Sequence, residues 1–124
     1  MGQVINLLTL KKNFEFQKVF QKGKWYSGNY LYIYALPNKK EKNSIGIAVS
    51  KKFSKSSVKR NRIRRLIKEA YRLHEEQFRQ GYQIVIVWKS DVLQEDFSYG
   101  MIEEDLLKCF KKADFIIKEE DLNA

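Results

Sequence analysis

Cationic side chains are the chemically active groups that this sequence concentrates most, and seven of the sixteen residues from Ser57 to Arg72 are Lys or Arg. Apolar residues recur there at helical spacing, which predicts an amphipathic helix with Ser57 as its N-cap. Its first turns carry Lys and Arg without an acid, although the helix dipole favours negative charge at that end. Free backbone N–H groups at the same end can bind phosphate. The pattern favours a nucleic-acid partner over a solvated basic face.

Groups suited to catalysis by the polypeptide itself are scarce. His74 and Cys109 are the only His and the only Cys, and the six glycines are scattered singly, so neither zinc spacing nor a phosphate loop occurs. Adjacent glutamates such as Glu75 and Glu76 point apart on a helix and form no acid–base pair. We expect His74 to be structural and Cys109 to be a buried hydrophobe, so any chemistry is expected to come from a partner.

Aromatic side chains form a second pattern in the first third of the chain. Leu10 to Gln21 is predicted to be a helix that stops at Gly23, with Phe16 and Phe20 on one face. The next segment, Trp25 to Leu36, is predicted to be a single strand that presents Tyr30, Tyr32 and Tyr34 on one side. Such a row can stack unpaired bases, or it can be an ordinary cross-strand aromatic cluster, and the sequence leaves both open.

The remaining elements would place these two patterns on one scaffold. Pro37 to Asn43 is predicted to be a turn that makes Ser44 to Ser50 the hairpin partner of the tyrosine strand. Small residues on one face of that partner would leave a shallow trough. The basic helix, extending to about Phe78, then leads to an apolar strand at Tyr82 to Lys89, which implies a parallel crossover. Ser98 to Ala113 is the predicted last helix, so the order is α-β-β-α-β-α in an α+β fold with a mixed sheet.

The 124 residues predict one domain, 1–124, with a loose N-terminal arm at 1–8 and an acidic tail at 114–124. Residues 1–90 contain 20 basic and 5 acidic side chains, whereas residues 91–124 contain 4 and 10, so the charge is strongly oriented. A single Cys, the absence of a signal-peptide pattern and the absence of a membrane-length apolar run predict a cytoplasmic protein without membrane contact.

Several segments taken in order, LKKNFEFQKVFQKG, VSKK, KRNRIRRLIKEAYR, YQIVIVWK and LLKCFKKA, resemble the protein component of bacterial ribonuclease P. The resemblance implies a ribosomal protein S5 domain 2-like fold with a left-handed crossover. It also implies a small subunit that binds a catalytic RNA and the 5′ leader of precursor tRNA. The RNA then carries the active site and holds most of the Mg²⁺, and no obligate protein partner is expected.

By this resemblance, the surface that binds the catalytic RNA consists of the cationic helix with the lysine pair before it: Lys51, Lys52, Lys59, Arg60, Asn61, Arg62, Arg64, Arg65 and Lys68. The leader-binding cleft consists of aromatic residues with a few strand-end residues: Phe16, Phe20, Tyr30, Tyr32, Tyr34, Ser50, Val87 and Lys89. Trp88 stands where the family usually has a basic residue, which predicts a rim of the cleft that stacks more. The alternatives are a ribosomal-type RNA-binding protein and, less compatible with the residues, a protein-only nuclease.

Overall fold

The structure of the protein is a computed structural model that describes residues 8–9, 13–89 and 98–117. Three helices and five strands occur in these ranges: β1 (Leu8–Thr9), α1 (Asn13–Lys22), β2 (Lys24–Ser27), β3 (Leu31–Pro37), β4 (Ser44–Val49), α2 (Ser57–His74), β5 (Tyr82–Trp88) and α3 (Tyr99–Lys112). The strands form one sheet in the order β1-β4-β5-β3-β2. The predicted α+β class is confirmed. Most of the predicted arm (residues 1–7), the acidic connection at 90–97 and the end of the acidic tail lie outside the described residues.

The β4–α2–β5 unit pairs its two strands in parallel, as the crossover predicts. The expected hairpin between β3 and β4 is wrong, because β5 lies between these strands and pairs with both. Ile84, Val85 and Ile86 of β5 are all buried. A strand whose successive residues are apolar on both faces belongs in the middle of a sheet, and β5 takes that place instead of an edge.

The predicted strand from Trp25 to Leu36 is in fact an antiparallel hairpin of β2 and β3. The chain reverses at Gly28–Tyr30, where the carboxylate of Asp105 on α3 accepts hydrogen bonds from three successive backbone N–H groups. A Cβ atom on Gly28 would lie 2.6 Å from Oδ2 of Asp105, so the carboxylate occupies the space of a side chain there. This partner is more than 70 residues away, and the local sequence pattern gave no sign of it.

The two faces of the sheet are covered by different helices. On one face, α2 and α3 pack against alternate residues of the strands and form the main core, which includes Ile33, Ile86, Ile67 and Phe110. On the other face, α1 is the only helix among the described residues, and its Val19 packs against Val85 in a much smaller cluster. Within the part of the chain that the structure describes, α1 covers only part of this face, which leaves the remaining strand residues able to contact a ligand.

Gly23 allows the end of α1 to pack closely against the sheet. Its N–H donates to the carbonyl of Val19 at 2.8 Å, which ends the helix as predicted. A Cβ at this position would lie 2.6 Å from the backbone oxygen of Val19 and 2.9 Å from that of Ala35. Only glycine allows this close approach of the helix end to β3.

The N-cap of α2 is Ser56, not Ser57: Oγ of Ser56 accepts a hydrogen bond from the backbone N–H of Lys59 at 3.3 Å. The helix ends at His74 instead of Phe78, and a 3-10 turn, Glu75–Gln77, follows it. The first turn of α2 contains no acid, as the sequence indicates. Within the described residues, no helix combines the length and apolar character needed to cross a membrane.

A hydrogen bond between side chains ties α2 to α3. Nε2 of His74 lies 2.7 Å from Oε2 of Glu103, and the hydroxyl of Tyr99 donates to the same oxygen at 3.2 Å. His74 therefore has the structural role that the sequence predicts. The hydrogen bond from His74 lowers the pKa of Glu103 from its usual value of 4.5.

This lowered pKa gives a pH-dependent prediction. Because the folded state favours the Glu103 carboxylate, we expect Glu103→Gln to reduce the free energy of unfolding above pH 4.5, the usual value. The difference from the parent protein is expected to disappear as the pH falls through the lowered folded-state pKa. Urea denaturation at pH 7 and at successively lower pH measures this. An unchanged difference at the lowest pH would show that the Glu103 carboxylate is not its source.

Candidate nucleic-acid interface

The outer surface of α2 is a row of cationic and amide side chains. Its core-facing stripe is Ile63, Ile67, Ala70 and Tyr71. The other faces expose Lys59, Asn61, Arg62, Arg65 and Lys68, whereas Arg60 and Arg64 are partly buried. The structure therefore brings the predicted phosphate-binding residues of the helix together on one element, pointing away from the core.

Two of the arginines make contacts that fix their position. Nη1 of Arg60 donates to the carbonyl of Ser54 at 2.8 Å, which ties the first turn of α2 to the preceding loop. Nη1 of Arg64 donates to Oδ1 of Asn61 at 2.7 Å. Each of these contacts uses one of the five N–H donors of a guanidinium group, so most of the fork remains for a phosphate.

The loop between β4 and α2 carries the lysine pair. Lys51 and Lys52 are exposed in a turn closed by a hydrogen bond from Phe53 N–H to the Ser50 carbonyl at 3.1 Å. The ring of Phe53 packs edge-on against Trp88, with centroids 5.8 Å apart. Oγ of Ser50, predicted to line the cleft, accepts from the N–H of Lys52 at 2.9 Å and so takes part in the turn.

On the other sheet face, Phe16 and Phe20 of α1 and the tyrosines of β3 form an aromatic cleft. Phe20 meets Tyr34 edge to face with ring centroids 4.9 Å apart, and Phe16 lies 6.5 Å from Phe20. Phe20 is 41% exposed although it is aromatic. Val87 and Ala48 continue this face across the register of β5 and β4. The cleft thus joins exposed rings to a floor of small and aliphatic residues.

Lys89 places a positive charge at the end of this cleft. Its Nζ lies 4.8 Å from the centroid of the Tyr32 ring and donates to the carbonyl of Gly28 at 2.6 Å. Lys89 directly follows β5, and Ser50 directly follows the parallel strand β4. Both residues therefore lie at the end of the sheet from which the loop to α2 starts.

Two sequence-based expectations about the cleft are wrong. Tyr30 does not continue the row of Tyr32 and Tyr34, because it precedes β3 in the turn held by Asp105, and its ring stacks on Trp88 with centroids 5.9 Å apart. Trp88 is fully buried in the main core and does not form a rim. Its alternation with Ile84 and Ile86 on β5 places it on the α2–α3 face.

Sequence reasoning missed Trp25 as a cleft residue. It stands opposite Tyr34 in the β2–β3 register, and its ring contacts Tyr32 with centroids 5.8 Å apart at an interplanar angle of 76°. Trp25 is 58% exposed. Recognising the reversal at Gly28 would have placed it beside the tyrosines.

A metal site requires clustered His, Cys, Asp or Glu side chains, and a reactive thiol requires a lowered pKa. Among the described residues, no three His, Cys, Asp or Glu side chains are placed to hold a metal ion together. Burial raises the pKa of the Cys109 thiol to about 12, so this group stays protonated at neutral pH. Cys109 is in the core, where the sequence places it.

An α+β domain with a cationic helix on one side and an aromatic cleft on the other defines a small basic RNA-binding protein. The ribonuclease P family model matches residues 6–114. The chain is 42% identical over 109 residues to the ribonuclease P protein component of Clostridioides difficile, covering 87% of this chain and 93% of the relative. It is 37% identical to that of Caldanaerobacter subterraneus, covering 92% and 96%.

Solved structures agree with this family. The RNase P protein of Staphylococcus aureus is 26% identical, with a TM-score of 0.79 over 90% of this chain and all of that one. That of Thermotoga maritima, at 24% identity and a TM-score of 0.75 over 84% and 96%, shows the same fold. The chain belongs to the ribonuclease P protein family. It is therefore the protein component of a ribonucleoprotein endoribonuclease with an RNA partner, and the ribosomal alternative is not favoured.

Proposed function

We propose that the protein acts through two separate RNA-binding surfaces, one for each partner. The cationic surface of α2 with the lysine pair before it binds the catalytic RNA: Lys51, Lys52, Lys59, Arg60, Asn61, Arg62, Arg64, Arg65 and Lys68. The aromatic cleft binds the single-stranded 5′ leader of precursor tRNA: Phe16, Phe20, Tyr32, Tyr34, Val87 and Lys89, with Ser50 at its end. Removal of the leader then gives the mature 5′ end.

The observation that carries this proposal is the separation of cations from exposed rings. The cations of α2 are on the helix that packs on one face of the sheet, whereas Phe20 of α1 and the β3 residues Tyr32 and Tyr34 are on the opposite face. Folded RNA presents phosphates to a cationic surface, whereas unpaired bases stack on aromatic rings. Each surface suits one of the two partners.

Catalysis in this proposal belongs to the RNA subunit, which holds most of the Mg²⁺. The side chains of this protein bind the two RNAs and orient them. Precursor tRNA and catalytic RNA are both polyanions, so the cations of α2 and the loop reduce their mutual repulsion. We expect the complex to work in the cytoplasm, without an obligate protein partner.

The function is tested by cleavage of precursor tRNA at low Mg²⁺ by a bacterial ribonuclease P RNA, with and without this protein. We expect the protein to restore cleavage at a Mg²⁺ concentration at which the RNA alone is inactive. No stimulation at any Mg²⁺ concentration would contradict the proposal. Cleavage of precursor tRNA by the polypeptide in the absence of the RNA subunit would show that the protein itself is the catalyst.

The cleft is tested by Tyr34→Ala and Phe20→Ala in the assembled holoenzyme. Base–aromatic stacking contributes about 1–3 kcal/mol per base, so each change is expected to weaken precursor tRNA binding about tenfold. Binding of mature tRNA, which has no leader, serves as the control and is expected to stay unchanged. Filter binding with both RNAs measures the difference. An equal loss for both RNAs would contradict a leader-binding role.

A further inference from the structure

Trp25 is a large exposed aromatic side chain that has no role in the proposed function. It lies on β2 at the edge of the sheet, with 58% of its surface exposed, whereas Trp88 is fully buried. Exposing an indole ring on an edge strand keeps a large apolar area in water, which costs free energy unless a ligand covers the ring.

The backbone around Trp25 is held firmly, so the ring has a defined position. The hairpin register sets Trp25 opposite Tyr34, and the edge-on contact with Tyr32 fixes the ring beside the cleft. The turn that follows β2 is anchored by Asp105, which is only 3% exposed. A preorganised ring loses little conformational entropy when it binds a planar ligand.

Cationic groups surround the same turn. Nζ of Lys89 donates to the Gly28 carbonyl at 2.6 Å, and Nζ of Lys112 on α3 donates to the Ser27 carbonyl at 2.7 Å. An ammonium group has three N–H donors, so each lysine retains two for a phosphate oxygen. The buried Asp105 carboxylate is directed at backbone N–H groups on the inner side of the turn and does not contact these ammonium groups.

We propose that Trp25, Lys89 and Lys112 form a nucleotide subsite that extends the leader cleft across the edge strand. The indole of Trp25 stacks one unpaired base, and the two ammonium groups bind the adjoining phosphates. This inference rests on the proposed leader-binding function and adds a position to it. Lys89 also lies over the ring of Tyr32, so the subsite is continuous with the aromatic cleft.

Single-stranded RNA fits this site better than a second protein chain does. An indole ring followed along the chain by a turn that binds two ammonium groups matches the alternation of base and phosphate along an RNA strand, because indole faces stack any base while lysines bind the backbone. A protein partner would have to bring carboxylates to the same spacing. The experiment must therefore distinguish RNA binding at Trp25 from self-association of the protein through Trp25.

The first test uses the two tryptophans as internal probes in the full-length protein. Acrylamide is expected to quench the fluorescence of exposed Trp25 and to leave that of buried Trp88 nearly unchanged. Adding a short single-stranded RNA is expected to protect Trp25 from acrylamide. In Trp25→Leu the remaining emission, from Trp88, is expected to be insensitive to RNA, and its unchanged spectrum shows that the variant is folded. A change that follows protein concentration without RNA would indicate self-association and overturn the proposal.

The second test measures holoenzyme affinity for precursor tRNAs whose leaders grow one nucleotide at a time. Trp25→Leu is expected to weaken binding of long leaders about tenfold, the effect of losing one stacked base, and to leave the shortest leaders unaffected. Lys112→Ala is expected to lose affinity at the same leader lengths. Leu73→Ala is the matched control, because Leu73 on α2 is also 58% exposed.

The outcomes separate the inference from the function on which it rests. If Tyr34→Ala lowers the affinity for precursor tRNA and Trp25→Leu does not lower it at any leader length, the Trp25 subsite alone is wrong. No loss for either variant overturns the leader cleft as well. A loss for Trp25→Leu that is equal for mature tRNA shows that the ring serves another contact, and the subsite is wrong.

Discussion

Replacing Arg62 and Arg65 together by alanine is expected to weaken binding of the catalytic RNA about a hundredfold near 0.1 M salt. The reason is counterion release: each phosphate that a cation neutralises contributes about a factor of ten at this salt concentration, and the contribution fades as the salt approaches 1 M. Both side chains are on the exposed side of α2. The slope of log affinity against log salt is expected to fall by about 2.

The matched control is the double change Lys39→Ala and Lys40→Ala. It removes the same net charge from exposed residues in the β3–β4 turn, at the opposite end of β4 from the cationic loop. We expect little effect on RNA affinity or on the salt slope. Filter-binding titrations at four salt concentrations measure both quantities. Equal losses for the two double variants would mean that total charge, and not the α2 surface, determines assembly.

Replacing Asp105 by alanine is expected to reduce the free energy of unfolding by about 3 kcal/mol, because a buried backbone donor left without a partner costs about 1–3 kcal/mol. The carboxylate accepts from the N–H groups of Asn29, Tyr30 and Leu31 at 2.6, 2.9 and 3.0 Å. Of these donors, that of Leu31 is fully buried and carries the largest part of the loss. Urea denaturation monitored by circular dichroism measures the change.

Glu104→Ala is the control for this change. Glu104 precedes Asp105 on α3 and is exposed, so its removal alters the charge equally and is expected to change stability by no more than about 0.5 kcal/mol. If Asp105→Ala were no more destabilising than Glu104→Ala, the carboxylate would not be holding the turn. Because the Gly28 carbonyl positions Lys89, folded Asp105→Ala is also expected to bind the leader more weakly.

The periodic elements could be predicted from the sequence because their signals are local. The basic helix, its apolar stripe and the parallel strand after it follow from spacing alone, and Ser56 differs from the predicted cap by one position. The separation of Tyr32 and Tyr34 from Leu31 and Ile33 follows from alternation in the same way. Tyr32 and Tyr34 both belong to the candidate cleft, whereas Leu31 and Ile33 are in the main core.

The errors arose where distant residues decide the local structure. Asp105 reverses the chain at Gly28, so one predicted strand is a hairpin and Tyr30 turns toward Trp88. The expected β3–β4 hairpin fails because β5, apolar on both faces, occupies the central position between them. The family resemblance predicts Trp88 at the rim, whereas its alternation with Ile86 indicates the core, where the structure has it. The sequence does not predict Trp25 in the cleft, because the chain reversal at Gly28 that brings it there depends on the distant Asp105.

The central claim is that assembly and leader binding use different surfaces, and one crossed measurement tests it most directly. The affinity for the catalytic RNA and the holoenzyme affinity for precursor tRNA, at saturating protein, are measured for Arg62→Ala/Arg65→Ala and for Tyr34→Ala. The account predicts that the arginine variant loses affinity for the catalytic RNA alone, and that the tyrosine variant loses affinity for precursor tRNA alone. Equal losses by both variants in both steps would contradict it.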